Sequence, residues 1–98
     1  MCGQGRRLIM VRKQVVIINK LGLHARAAAR LVTLASGFES TIHLERNSKK
    51  VNGKSIMGVM MLAAAQGTTI EIIAEGADEV EALASLETLV QQRFGEES

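Results

Sequence analysis

The chain has no proline, no tryptophan and no tyrosine, and it holds one cysteine and two phenylalanines. Each shortage removes a class of function. Phe38 and Phe94 alone supply no set of rings on which bases could stack, which argues against single-stranded nucleic-acid binding. Lys49, Lys50 and Lys54 carry no recognised nucleic-acid motif, and no nucleic-acid partner is expected. Cys2 by itself permits neither an intrachain disulfide nor a cysteine-based metal site. His24 and His43 would need further ligands to hold a metal, and none is evident, so neither metal nor cofactor is expected. Nothing reads as a membrane span. The Leu8-Ile9-Met10-Val11 run behind Arg6-Arg7 is too short for a secretory leader, and Arg12 interrupts it. The expected compartment is the cytoplasm. Residues 1–12 are expected to form a flexible extension before a single domain over residues 13–98.

What is present suits a small aliphatic core. At 98 residues, 47% of them hydrophobic, the chain makes one domain built from Leu, Ile, Val, Ala and Met. Charge is polarised along it. Residues 1–55 hold eleven of the twelve Lys/Arg and two of the ten acids, a net +9. Residues 56–98 hold one base and eight acids, a net −7. The halves either cancel on folding or leave a basic face around residues 20–30 that attracts an acidic protein or a phosphate.

Gln14–Asn19 is β-branched and reads as a mostly buried strand, broken by the Lys20-Leu21-Gly22-Leu23 turn. Ala25–Ala35 reads as a helix whose apolar stripe is Ala28, Leu31, Val32 and Ala35, closed by Gly37. Thr41–Arg46 alternates, Asn47-Ser48 turns, and Lys49–Asn52 returns, which predicts a hairpin with His43 facing solvent. Ser55 is a natural N-cap for an apolar helix over Ile56–Ala65. Thr68–Glu75 reads as a last strand. Beyond Gly76, acidic Asp78 and Glu79 suit the first turn of a long helix with Val80, Leu83, Leu86, Val90 and Phe94 on one face. The order βαββαβα predicts an α+β open-faced sandwich, a four-stranded antiparallel sheet covered on one face by three helices.

His24 falls where the glycine turn meets the alanine-rich helix. A helix N-terminus offers unpaired N–H groups and partial positive charge, both of which favour phosphate. A neutral imidazole there has a lone pair for attack. Arg26 can pair with phosphoryl oxygens, and Arg30 can extend the positive field. Phosphoryl transfer needs positioning and charge stabilisation more than covalent machinery. On these residues alone, a histidine that merely caps the helix is the better explanation of the pattern.

The segments Lys20-Leu21-Gly22-Leu23-His24-Ala25-Arg26 and Asn52-Gly53-Lys54-Ser55-Ile56-Met57 together resemble the HPr family of phosphocarriers of the bacterial phosphotransferase system. The likeness runs over about residues 13–94. It implies that His24 accepts a phosphoryl group on Nδ1 from enzyme I and donates it to an EIIA-type protein, with Arg26 stabilising the phosphohistidine. It implies that Ser55 is the regulatory serine, which a dedicated kinase (with a matching phosphorylase) modifies in some members. Ile56, Met57 and Met60 match the family's apolar docking patch, and a monomeric carrier is expected, a stoichiometric intermediate rather than a stand-alone enzyme. The family often has proline after the arginine, where this chain has Ala27, and many sugar-system members have asparagine in place of Leu21. The wording is similar to proteobacterial HPr and to its nitrogen-system relative NPr.

The same residues have plainer explanations. Ser55 serves as an N-cap whatever else it does, and Met57, Met60 and Met61 could be core. A helix apolar all round is hard to bury in so small a domain, so Val59 and Leu62 are assigned to the core and Ile56, Met57 and Met60 to a partly exposed patch. A regulatory interaction module, reporting metabolic state through His24 or Ser55, is the competing reading.

Overall fold

The computed structural model describes residues 10–98. Strand β1 (Val11–Val16) is followed by α1 (Ala25–Ser36), the hairpin β2 (Thr41–Arg46) and β3 (Lys49–Asn52), α2 (Ile56–Met61), β4 (Thr69–Glu75) and α3 (Glu79–Gln91). The four strands form one antiparallel sheet in the order β1-β4-β2-β3, the expected open sandwich. Ile42, Leu44, Ile70, Ile72 and Ala74 point from the sheet into the core and meet Ala28, Leu31, Leu86 and Val90 from the helices. Full burial of each larger aliphatic contributes about 1.5–3 kcal/mol, so the layer closes with Phe94 as its one fully buried ring.

β1 begins earlier than the β-branched run suggested. Val11 and Arg12 pair with Ala74 and Ile73 and so belong to the sheet, and residues 1–9 of the expected extension lie outside the described residues. The ladder ends at Val16. Ile17 and Asn19 remain fully buried because the chain stays tied to the turn before β4, Ile17 N–H donating to Thr68 O at 2.9 Å and Gly67 N–H to Ile17 O at 2.7 Å.

α1 buries Ala27, Ala28, Leu31 and Ala35, one step around from the expected stripe, and Val32 sits at its edge. α2 is shorter than its apolar run. Ala63 takes φ +51°, and the carbonyls that the helix leaves open are occupied from the hairpin. Arg46 Nη1 donates to Leu62 O at 2.7 Å and Ala63 O at 2.9 Å, and Lys49 Nζ donates to Met61 O at 3.3 Å. These cations suit a helix C-terminus. The hairpin turn falls on Asn47 and Ser48, both at positive φ as a two-residue connection demands.

In α3 the buried face is Glu79, Ala82, Leu86 and Val90, and Val80 is solvent-exposed, contrary to the expected stripe. The expected continuation to Phe94 also fails. The helix ends at Gln91, and left-handed backbone at Arg93 and Phe94 turns the ring back into the core. Asp78 caps nothing with its side chain. Its carboxylate instead accepts from the Ser40 hydroxyl, from Glu39 N–H at 2.9 Å and from Ser40 N–H at 3.0 Å, fastening the α1–β2 loop to the start of α3.

Candidate functional site

Three segments meet at His24: the turn that leaves β1, the first turn of α1, and the C-terminal turn after α3. The turn is set by Gly22, whose φ of +67° suits glycine and whose Cα lies against the main chain after α2. A Cβ there would stand 2.5 Å from Ala64 O and 2.9 Å from Ala65 Cα. Leu23 N–H donates to Ala64 O at 2.9 Å, and Leu23 is buried, so the segment before His24 is bound directly to the end of the α2 region.

His24 is the N-cap of α1, with extended backbone, and its carbonyl accepts from Ala28 N–H at 2.8 Å. Its side chain makes no capping bond. The imidazole turns to the C-terminal segment, where Nε2 meets Oε2 of Glu96. Glu96 is itself held. Its Oε1 accepts from the Asn19 amide at 2.9 Å, and the same amide donates to Gly22 O at 2.8 Å. The Asn19 amide first, then His24, holds the Glu96 carboxyl below the usual carboxylate range, with a smaller contribution from the Arg26 charge.

Arg26 is exposed and lines the same open cleft as His24 and Glu96, about 500 Å³ in volume and bounded also by Leu21, Ala25, Glu97 and Ser98. His24 and Arg26 thus line one cleft. Arg30 is engaged elsewhere, its Nη1 donating to the Phe94 carbonyl. A cation at the cleft wall, helix amides and a half-exposed imidazole can together receive a phosphoryl group.

Ser55 is the N-cap of α2, its Oγ accepting from Gly58 N–H at 3.1 Å. Ile56, Met57 and Met60 are exposed, and Val59 and Leu62 are buried, the division expected from the sequence. Two further apolar side chains are exposed: Met61, left open between core and patch, at 61% exposure, and Leu21 at 68%. His43 is half-buried on the sheet face away from the helices.

Glu96 and Asn19 escaped the sequence reading. No local signal marks Glu96, which lies 72 residues from its partner and past the last periodic apolar position. Asn19 looks like the end of a strand, and only its full burial separates it from an ordinary turn residue.

The family model described as "PTS HPr component phosphorylation site" matches residues 11–92. The phosphocarrier protein HPr of Neisseria meningitidis is 53% identical over 87 residues, covering 89% of this chain and 98% of that protein. The HPr-like protein Crh of Bacillus subtilis is 49% identical over 83 residues, covering 85% and 98%. A crystal structure of HPr from Thermoanaerobacter tengcongensis superposes with a TM-score of 0.87 at 49% identity, covering 90% of this chain and 99% of that one. The matches take in the sheet, the histidine turn and α2 alike, and the chain belongs to the HPr family of phosphocarrier proteins.

Proposed function

We propose that this protein takes a phosphoryl group onto Nδ1 of His24 from enzyme I and passes it to an EIIA-type protein in the cytoplasm. The observation that carries the reading is the state of the ring. Its Nε2 is occupied by Glu96 while the ring stays part-exposed, at 29%, at the N-terminus of α1. That leaves Nδ1 as the nitrogen for chemistry. Arg26, in the same cleft, neutralises phosphoryl oxygens. Leu21, Ile56, Met57, Met60 and Met61 form the apolar surface on which partners dock, and adaptable methionines suit a surface that meets more than one protein. Phosphorylation of Ser55 by a dedicated kinase would add negative charge beside that surface and repel an acidic partner.

The test is direct. Incubated with phosphoenolpyruvate, magnesium and enzyme I, the protein should gain a phosphate that is labile in acid and stable in base, and His24→Ala should gain none. Label that persists in His24→Ala defeats the reading. The likeness to the HPr-like protein Crh supports a second reading, a regulatory interaction module, for which we propose Ser55 as the modified residue. The two are separable, because only the carrier role requires His24.

A further inference from the structure

The Glu96 carboxylate is delivered to His24 by a chain of fixed groups. Asn19, fully buried, uses one amide hydrogen on Gly22 O at 2.8 Å and the other on Glu96 Oε1 at 2.9 Å. Its own oxygen is buried and meets no hydrogen-bond partner among the described residues, so the amide orientation is set by its two donors. On the other side, Arg30 holds the carbonyl of Phe94, and Gly95, at φ +83°, turns the chain so that Glu96 faces the ring. A Cβ on Gly95 would collide with the Arg30 guanidinium. The remaining carboxylate oxygen, Oε2, then meets Nε2 of His24.

We propose that Glu96 is a positioning residue that holds His24 in the Nε2–H tautomer and thereby keeps the lone pair on Nδ1. An ionised carboxylate can only accept, so the nitrogen that faces it must carry the hydrogen. The inference rests on the reading of His24 as the phosphoryl acceptor. In the transfer, the Nδ1 lone pair forms the new N–P bond while the N–P bond of the donor's phosphohistidine breaks. The electron pair of the broken bond returns to the donor ring, which becomes neutral. No proton leaves His24. The hydrogen stays on Nε2, the phosphorylated ring gains a positive charge, and Glu96 lies against that charge. Donation to the next histidine runs the same steps in reverse, again without a proton change at Nε2.

Glu96→Gln separates this role from a structural one. The carboxamide can keep its oxygen on Asn19 and then presents its NH2 to His24, so Nε2 must become the acceptor. In ¹⁵N spectra of the intact protein, at a pH where the ring is neutral, the parent should show the Nε2–H tautomer and Glu96→Gln the Nδ1–H tautomer. The rate of phosphoryl acceptance from enzyme I should fall by at least about tenfold in Glu96→Gln, with the amide spectrum of the folded domain unchanged. Glu96→Ala, which presents neither donor nor acceptor, should fall between the two in both measurements. A parent in the Nδ1–H form overturns the proposal, as does a Glu96→Gln protein that keeps the parent tautomer or the parent rate. The acceptor reading fails separately, by label surviving in His24→Ala, and the tautomer spectra are independent of that result.

Discussion

The guanidinium of Arg30 on α1 donates to the carbonyl of Phe94, 64 residues further along the chain, and so ties the C-terminal turn to the helix that begins at His24. Arg30→Met keeps the aliphatic stem and removes the tie. Stability should fall by about 1 kcal/mol, the worth of one such bond, and phosphoryl acceptance should fall more than stability explains, because Glu96 loses its anchor. Denaturation midpoints and transfer rates from the same preparation check this. A variant less stable but equally fast would mean that the turn is not needed to place Glu96.

Gly22→Ala should be the costlier change. It forces a side chain to φ +67° and presses its Cβ against Ala64 O, so a loss of about 1–3 kcal/mol is expected in urea unfolding. The backbone contact from Leu23 to Ala64 should show faster amide hydrogen exchange in the same variant.

Asp78 gives a pH signature. The Ser40 hydroxyl first, then the Glu39 amide, holds its carboxyl below the ordinary range. With the folded value lower than the unfolded one, the stabilisation is complete above about pH 4 and is lost as pH falls through the folded value. Asp78→Asn should therefore be less stable than the parent near neutrality, and the gap should narrow on acidification below about pH 4. A gap of constant size across that range would show that the loop contact does not depend on ionisation.

At Ser55 the cap and the charge can be pulled apart. Ser55→Ala loses the bond to Gly58 and should cost about 1 kcal/mol, with little effect on transfer. Ser55→Asp keeps a good N-cap, so stability should hold, and it places negative charge beside Ile56 and Met57. Slower exchange with an acidic partner, relieved by added salt, is the expected result in titrations at two ionic strengths.

Among the described residues, Met57 is the most exposed of the large hydrophobic side chains, at 73%. Met57→Ser together with Met61→Ser should leave the unfolding midpoint close to the parent's and weaken binding of enzyme I. Isothermal titration of both proteins measures it, and equal affinities would move the docking surface elsewhere.

The sheet and its helices were legible because the strands alternate and the helices repeat, and because Gly22, Gly37 and the Asn47-Ser48 pair mark where the chain must turn. The errors have local causes. β1 starts at Val11 since pairing with β4 outweighed the β-branched run, α2 stops early since Arg46 and Lys49 take its last carbonyls, and α3 turns Val80 outward because Glu79 and Ala82 face in. Of the candidate site, His24 and Arg26 stood out at the glycine turn and Ser55 as an N-cap, and the roles proposed for them came from the resemblance to the HPr family. Glu96, Asn19 and the use of Arg30 were not, because each depends on contacts between segments that periodicity cannot bring together.

The tie from Leu23 to Ala64 separates two kinds of change. The imidazole is registered on main chain at the far end of the α2 region, not on the side chains that region displays. Substitutions at positions 56, 57, 60 and 61 can alter which surfaces the molecule fits without displacing the ring. Partner choice can then diverge among descendants of one gene while the imidazole stays where it was.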